Sequence, residues 1–338
     1  MMRAAWTLLI VGAVAAGVWL VFASSMPAYF AAWLFWIGVP MGALPIVMAM
    51  EGAGALESPL LPALRAMLPL LPLGTLFALP MLGDLSFLFA RAGLPGALPD
   101  WWTAPLALAL RDGAILVVLS LLAVLFALTP RRPRRSLATF GLLLTLFVSS
   151  LLGVDWLLAP QPALGSSLVG LLLMAGQMAL AGAVAGLVLA VGSDPHARLS
   201  GYSGLLLALL VAFWSVLQFG QFLVVWSANM PDEAGWYLAR IAGAGAPIIA
   251  FAALAAAAAI FCLPTALGRI PAALATITAT VALALMLVTL LFILPAFRGA
   301  FALSVADALA VIGLGGLLIG AMLLLVSAGE RRRAMAAP

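Results

Sequence analysis

The chain has 338 residues, 66% of them hydrophobic and only 8% charged, with a formal net charge of +4. A water-soluble domain of this length needs far more charge to solvate its surface, so these proportions point to a polytopic membrane protein. One histidine, His196, and one cysteine, Cys262, exclude an internal disulfide, a haem held by two histidines and a four-thiolate iron–sulfur cluster within the chain.

A helix of about 20 apolar residues crosses roughly 30 Å of hydrocarbon. Ten stretches meet that length: residues 4–23, 29–50, 66–83, 104–128, 137–158, 165–191, 203–227, 235–262, 271–295 and 303–327. Their unbroken apolar runs show none of the alternation of an outer-membrane barrel, and helices satisfy their own backbone groups in lipid. The expected fold is all-α, a single integral membrane helical bundle over residues 1–338. The first span begins just after Arg3 without a persuasive cleavage site, so it reads as a retained helix.

All fifteen basic residues are arginine. Arg3, Arg65, Arg131, Arg132, Arg134, Arg135, Arg198, Arg269, Arg331, Arg332 and Arg333 fall at one end of the alternating spans. Only Arg91, Arg111, Arg240 and Arg298 fall at the other. This asymmetry places both termini in the cytoplasm of a bacterial inner membrane, with the basic run after Arg131 suited to anionic lipid headgroups rather than nucleic acid. The outer end carries Asp84, Asp100, Asp112, Asp155, Asp232, Glu233 and Asp307. Trp19, Trp33, Trp36, Trp101, Trp102, Trp156, Trp226 and Trp236 also gather there, and an interfacial aromatic belt accounts for most of them.

Polar groups inside apolar spans are costly, so they mark places that face protein, water or a ligand. Arg111 and Asp112 lie about two turns into the fourth span. Adjacent helical positions diverge by about 100°, so each is expected to find partners on other helices, Asp155 being one for Arg111. Asp155, flanked by apolar residues and Trp156, is expected to favour its protonated form through desolvation and to handle protons. Gln218 and Gln221, three residues apart, share one face of the seventh span and are candidates either to bridge helices or to hold a ligand oxygen. Trp226 and Asn229 follow. Asp232 and Glu233 then open a helix whose positive end favours acids, with Arg240 as their expected partner. His196 reads as a loop residue. No phosphate loop, nucleophile elbow or paired-histidine metal motif is present, and no metal ligand set is expected.

Three stretches, "FGQFLVVWSANMPDEAGWYLAR" from Phe219, "LLGVDWLLAPQPALGSSLVGLLLMAG" from Leu151 and "PDWWTAPLALALRDGAILVV" from Pro99, resemble a known family. It is the second quinone-binding-type membrane subunit of alternative complex III, a bacterial quinol:cytochrome c or quinol:oxidase oxidoreductase, related to the polysulfide-reductase-type (NrfD-like) membrane subunits. The most specific positions are Gln221, Trp226, Asn229, Pro231, Asp232 or Glu233, Trp236 and Arg240. The chain departs from the family at "LLAPQPALGSSL", where a second acid and another aromatic are expected after Trp156.

The resemblance implies two four-helix bundles plus two further helices. It also implies a subunit without haem, iron–sulfur cluster or covalently bound cofactor, beside a sister NrfD-like membrane subunit, a multihaem cytochrome c and an iron–sulfur protein. Quinol would be the ligand, and the chain a part of a quinol-oxidising complex rather than a stand-alone enzyme. Asp155, with Asp112, Asp232 and Glu233, would handle protons. Gln218, Gln221, Trp226, Asn229, Trp156, Arg111 and Arg240 would line the quinol pocket or pack helices. The alternatives are a structural membrane scaffold without quinone and a secondary transporter.

Overall fold

The computed structural model describes residues 2–23, 25–83, 100–128, 135–192, 201–228 and 231–336. Asn229, His196, Arg131, Arg132, Arg134 and Arg198 lie outside that set. Among the described residues every regular element is helical, and ten helices are long and apolar enough to cross a membrane.

The first two spans are α1 (Met2–Phe22) and α2 (Met26–Ala53). The third is assembled from α3 (Leu61–Met67), α4 (Leu70–Leu76) and a 3-10 turn (Leu79–Gly83). Pro69, Pro72 and Pro80 each lack an N–H for the helical ladder, which explains the segmentation. A short helix, α5 (Asp100–Thr103), leads into α6 (Pro105–Leu128), followed by α7 (Arg135–Gly153). Beyond these lie α8 (Val169–Val191), α9 (Gly201–Ala228), α10 (Pro231–Ile241), α11 (Gly245–Cys262), α12 (Pro271–Arg298) and α13 (Val305–Ala336).

Packing sorts the spans into two groups of four and a pair. Helix α2, the third span, α6 and α7 form one four-helix group, and α8, α9, α11 and α12 form another. The two remaining helices, α1 and α13, pack mainly on each other, with α13 also against α2. Helix α2 is buried over almost its whole length and joins the groups by lying against α8. Gly42 makes that approach possible, because a Cβ there would run into the Gln177 main chain. Gly12 does the same for α1 and α13, its missing Cβ standing 2.6 Å from the Leu317 nitrogen. Without a hydrophobic driving force between helices in lipid, such close contact supplies much of the association energy.

Two expectations change. The eighth span does not run unbroken from residue 235: α10 is a separate helix, and Gly243, with φ of 59°, turns the chain before α11 begins at Gly245. Only glycine enters that backbone region at little cost. The tryptophans, moreover, are largely not a lipid-facing belt. Trp19, Trp33, Trp156 and Trp236 are buried, whereas Trp101 and Trp226 are exposed. Inside the bundle, indole N–H groups tie helices together: Trp33 Nε1 donates to the Gly74 carbonyl at 2.8 Å and Trp36 Nε1 to the Val311 carbonyl at 2.9 Å.

Gly42→Ala should push α2 from α8 and destabilise the protein by about 1–3 kcal/mol, the usual cost of overpacking. Gly52→Ala, whose Cβ meets nothing within 4 Å, should not. Thermal unfolding in detergent compares them; equal midpoints would show that the crossing does not depend on Gly42.

Candidate functional site

Three of the polar places on this framework lie towards the arginine-poor end of the bundle and hold the residues singled out above; further ion pairs join Arg298 to Asp307 and, at the arginine-rich end, Arg65 to Glu51, each at 2.7 Å. In the first, Arg111 and Asp112 sit roughly 9 Å into α6, taking about 1.5 Å per residue from Pro105. Helix α7 ends in a π-helical turn, Val154–Leu158, in which the Ala159 nitrogen donates to the Val154 carbonyl at 2.8 Å. Just before it, Gly153 lets α7 touch α8, its missing Cβ lying 2.6 Å from the Gly170 Cα. The widened turn presents both Asp155 and Trp156 to α6.

Arg111 donates to Asp155 Oδ2 from Nε at 2.9 Å, and its Nη2 lies 2.7 Å from the same oxygen. Its Nη1 donates to the Trp102 carbonyl at 3.2 Å, and Cζ stands 4.0 Å above the Trp102 ring. Trp156 Nε1 donates to Asp112 Oδ2 at 2.9 Å, and its ring meets Trp33 edge-on at 4.9 Å. The expected Arg111–Asp155 pair is therefore present. The expectation that Arg111 and Asp112 stay apart is corrected: Arg111 Nε lies 3.7 Å from Asp112 Oδ1, so one guanidinium faces both carboxylates. Asp155 is fully buried and Asp112 nearly so.

The second place centres on Arg240, near the end of α10. Its Nη2 donates to Gln161 Oε1 and to the Phe292 carbonyl, the latter at 2.9 Å, and its Nη1 to the Trp236 carbonyl at 3.0 Å. The guanidinium carbon lies 3.7 Å over the Trp236 ring, a cation–π contact. Trp236 Nε1 donates to the same Gln161 oxygen at 2.9 Å. Pairing with Asp232 or Glu233 was expected. Among the described residues, Arg240's partners are instead a carboxamide, two carbonyls and aromatic rings, because α10 folds Arg240 inward over Trp236 and leaves Glu233 at its other end, against Gly165. Burial lowers the Arg240 pKa to about 9, which leaves it charged at neutral pH. Burial, aided by the Glu233 charge, pushes the Tyr237 phenol up to about 12.

The third place is a cavity of about 80 Å³ among α2, α8, α9 and α12. Gln177, Gln218, Trp214 and Thr289 supply polar groups to a wall otherwise made of side chains such as Phe35 and Phe292. At roughly 10–15 Å³ per water it has room for several water molecules, and it is well below the few hundred Å³ of a typical organic-ligand pocket. Gln218 faces it. Gln221, on the same side of α9, is occupied otherwise: its Oε1 accepts from Ser166 Oγ at 2.8 Å. Trp226 is 73% exposed and takes no part in the cavity, a correction to its expected role as a ring contact.

The residues gathered from the sequence as one ring pocket thus separate. Arg111, Asp112, Asp155 and Trp156 form one centre, Arg240 another, and Gln218 belongs to the cavity. The side chain of Asp232 lies outside what is described. Gln161, Ser166, Gln177 and Trp214 were missed, although a carboxamide in an apolar stretch is the same signal that marked Gln218. Among the described residues no group of three or more His, Cys, Asp or Glu side chains could hold a metal ion.

Fold and site define a polytopic helical membrane protein with buried charged groups. No protein-family model matches the chain, and neither does any curated protein.

Arg240→Ala should destabilise the protein by at least about 1.5–3 kcal/mol, the typical worth of a charge-assisted hydrogen bond. Arg240→Lys should not restore stability, because ammonium cannot both stack flat on Trp236 and reach Gln161 and Phe292. Trp226→Ala should leave the midpoint unchanged. A lysine variant that melts like the wild type would show that charge alone suffices.

Proposed function

We propose that the chain is a membrane subunit of an alternative complex III-like quinol:cytochrome c or quinol:oxidase oxidoreductase, and that Asp155 with Asp112 accepts protons released when quinol is oxidised. The observation that carries this reading is two buried carboxylates sharing one guanidinium near the arginine-poor end. Two carboxylates and one guanidinium leave one negative charge unbalanced, and in a dry site that charge has a strong pull on a proton.

Quinol oxidation yields two electrons and two protons. The electrons would pass to a multihaem cytochrome c and an iron–sulfur partner beside a sister NrfD-like membrane subunit, and the protons to acid side chains of the kind held here. Gln177 and Gln218 are the carboxamides placed to hold ring oxygens, provided the cavity widens to admit a ring. In this reading the protein sits among lipids of a bacterial inner membrane with both termini cytoplasmic, so the arginine-poor end faces outward.

The small size of the cavity favours a second reading, a scaffold that binds no quinone. A secondary transporter is less well supported, since the ion pairs among the described residues lie towards the ends of the bundle rather than at the midplane.

Asp155→Asn should lower quinol-dependent cytochrome reduction by the purified complex roughly a hundredfold, the low end for a lost proton acceptor, with subunit composition unchanged. Unaltered turnover would remove Asp155 from the chemistry. A chain that purifies without haem or iron–sulfur partners would remove the respiratory assignment itself.

A further inference from the structure

We infer that the Asp112–Asp155 pair holds one proton, which makes the Arg111 centre a one-proton store without net charge. The inference deepens the proposed proton role of this site but does not require a respiratory partner.

Each carboxyl uses its Oδ2 in the same manner. Asp155 Oδ2 takes the Arg111 guanidinium and Asp112 Oδ2 takes the Trp156 indole. Each Oδ1 is left shut away from water and without a hydrogen bond. Both carboxylates also reach the same guanidinium nitrogen, Arg111 Nε lying 2.9 Å from Asp155 Oδ2 and 3.7 Å from Asp112 Oδ1. A pair of acceptors cannot satisfy each other, and two buried anions in contact repel; one proton removes both problems by turning one acceptor into a donor. The carboxylic-acid dyad that shares a proton is a known solution to this constraint.

Arg111 on α6 is the one cation in contact with the pair among the described residues, and its closest contact is with Asp155. The groups packed around them from α5, α2 and the π-helical turn are Trp102, Trp33 and Trp156, none of which carries charge. The proton therefore belongs to Asp112, farther from the guanidinium at 3.7 Å. Discharge is a plain proton transfer: the Asp112 O–H bond breaks, an acceptor base gains the proton, and two carboxylates remain against Arg111. No electron moves.

Isotope-edited infrared spectroscopy tests this on the purified full-length protein carrying aspartate labelled with ¹³C at the side-chain carboxyl. The wild type should show a protonated-carboxyl C=O stretch that shifts with the label. That band should vanish in Asp112→Asn and equally in Asp155→Asn, because either change leaves one carboxylate for one guanidinium. A wild type without the band overturns the inference, and so does a band that persists in either variant. Should one variant fail to fold, the other decides alone. Loss of the band in both variants, with quinol-dependent cytochrome reduction unaffected, would keep the store and remove the pair from the proposed quinol chemistry; loss of the band in a chain that purifies without haem or iron–sulfur partners would keep the store and sink the respiratory assignment.

Discussion

The close crossing of α2 over α8 is the contact on which the rest of this bundle hangs. Gly42 has no room for a Cβ against the Gln177 main chain, so the two four-helix groups meet backbone to backbone. Both polar territories then lean on α2. Its Trp33 braces Trp156, which in turn holds Asp112, and its Leu34, Phe35 and Gly38 wall the cavity that Gln177 and Gln218 enter. A shift of α2 by a fraction of a helix diameter would be felt at the carboxylates and at the carboxamides alike, since packed interiors transmit displacement rather than absorb it.

Arg240, buried, and Arg111, half-buried, show how one problem is solved twice. Arg111 and Arg240 each stack on a nearby tryptophan, Trp102 and Trp236, and each donates to that tryptophan's main-chain carbonyl. Such stacking disperses a cation's field over a polarisable surface that tolerates lipid nearby. The difference lies in what completes the shell. Arg111 meets Asp155 and, more distantly, Asp112; Arg240 meets Gln161 and the Phe292 carbonyl. A cation held by neutral dipoles is a fixed structural charge. A cation shared by two acids has protonation states to choose between, which is why chemistry is sought at the first and not at the second.

How much of this was legible in the chain follows from the range of each interaction. The spans could be read because bilayer thickness acts on every residue locally. The Arg111–Asp155 pair was legible because charge at depth demands a partner and few candidates exist in so apolar a sequence. Gln161 was not: it lies 79 residues from Arg240, in the loop that looked like a mere departure from the family pattern, and only the folded chain reveals it as the acceptor for both Arg240 and Trp236. The buried tryptophans were misread for a related reason. An indole at a helix end suits an interface and an interior equally well, and the choice depends on whether a carbonyl such as that of Gly74 or Val311 is waiting across the gap.

The π-helical turn is where local geometry and chemistry meet. In an α-helix consecutive side chains diverge by about 100°, so an acid and the indole after it could not both face one neighbouring helix comfortably. Closing the hydrogen bond five residues back, as the Ala159 nitrogen does, puts more residues into the turn and narrows that divergence. Asp155 can then reach Arg111 while Trp156 reaches Asp112, both across the same 44-residue separation. A strictly α-helical end to α7 would give up one of those two contacts. Losing the indole would leave Asp112 with both oxygens bare, and losing the acid would leave Arg111 with Asp112 alone. The irregular turn is therefore the element that assembles two acids around one base, and a regular helix with the same residues would not.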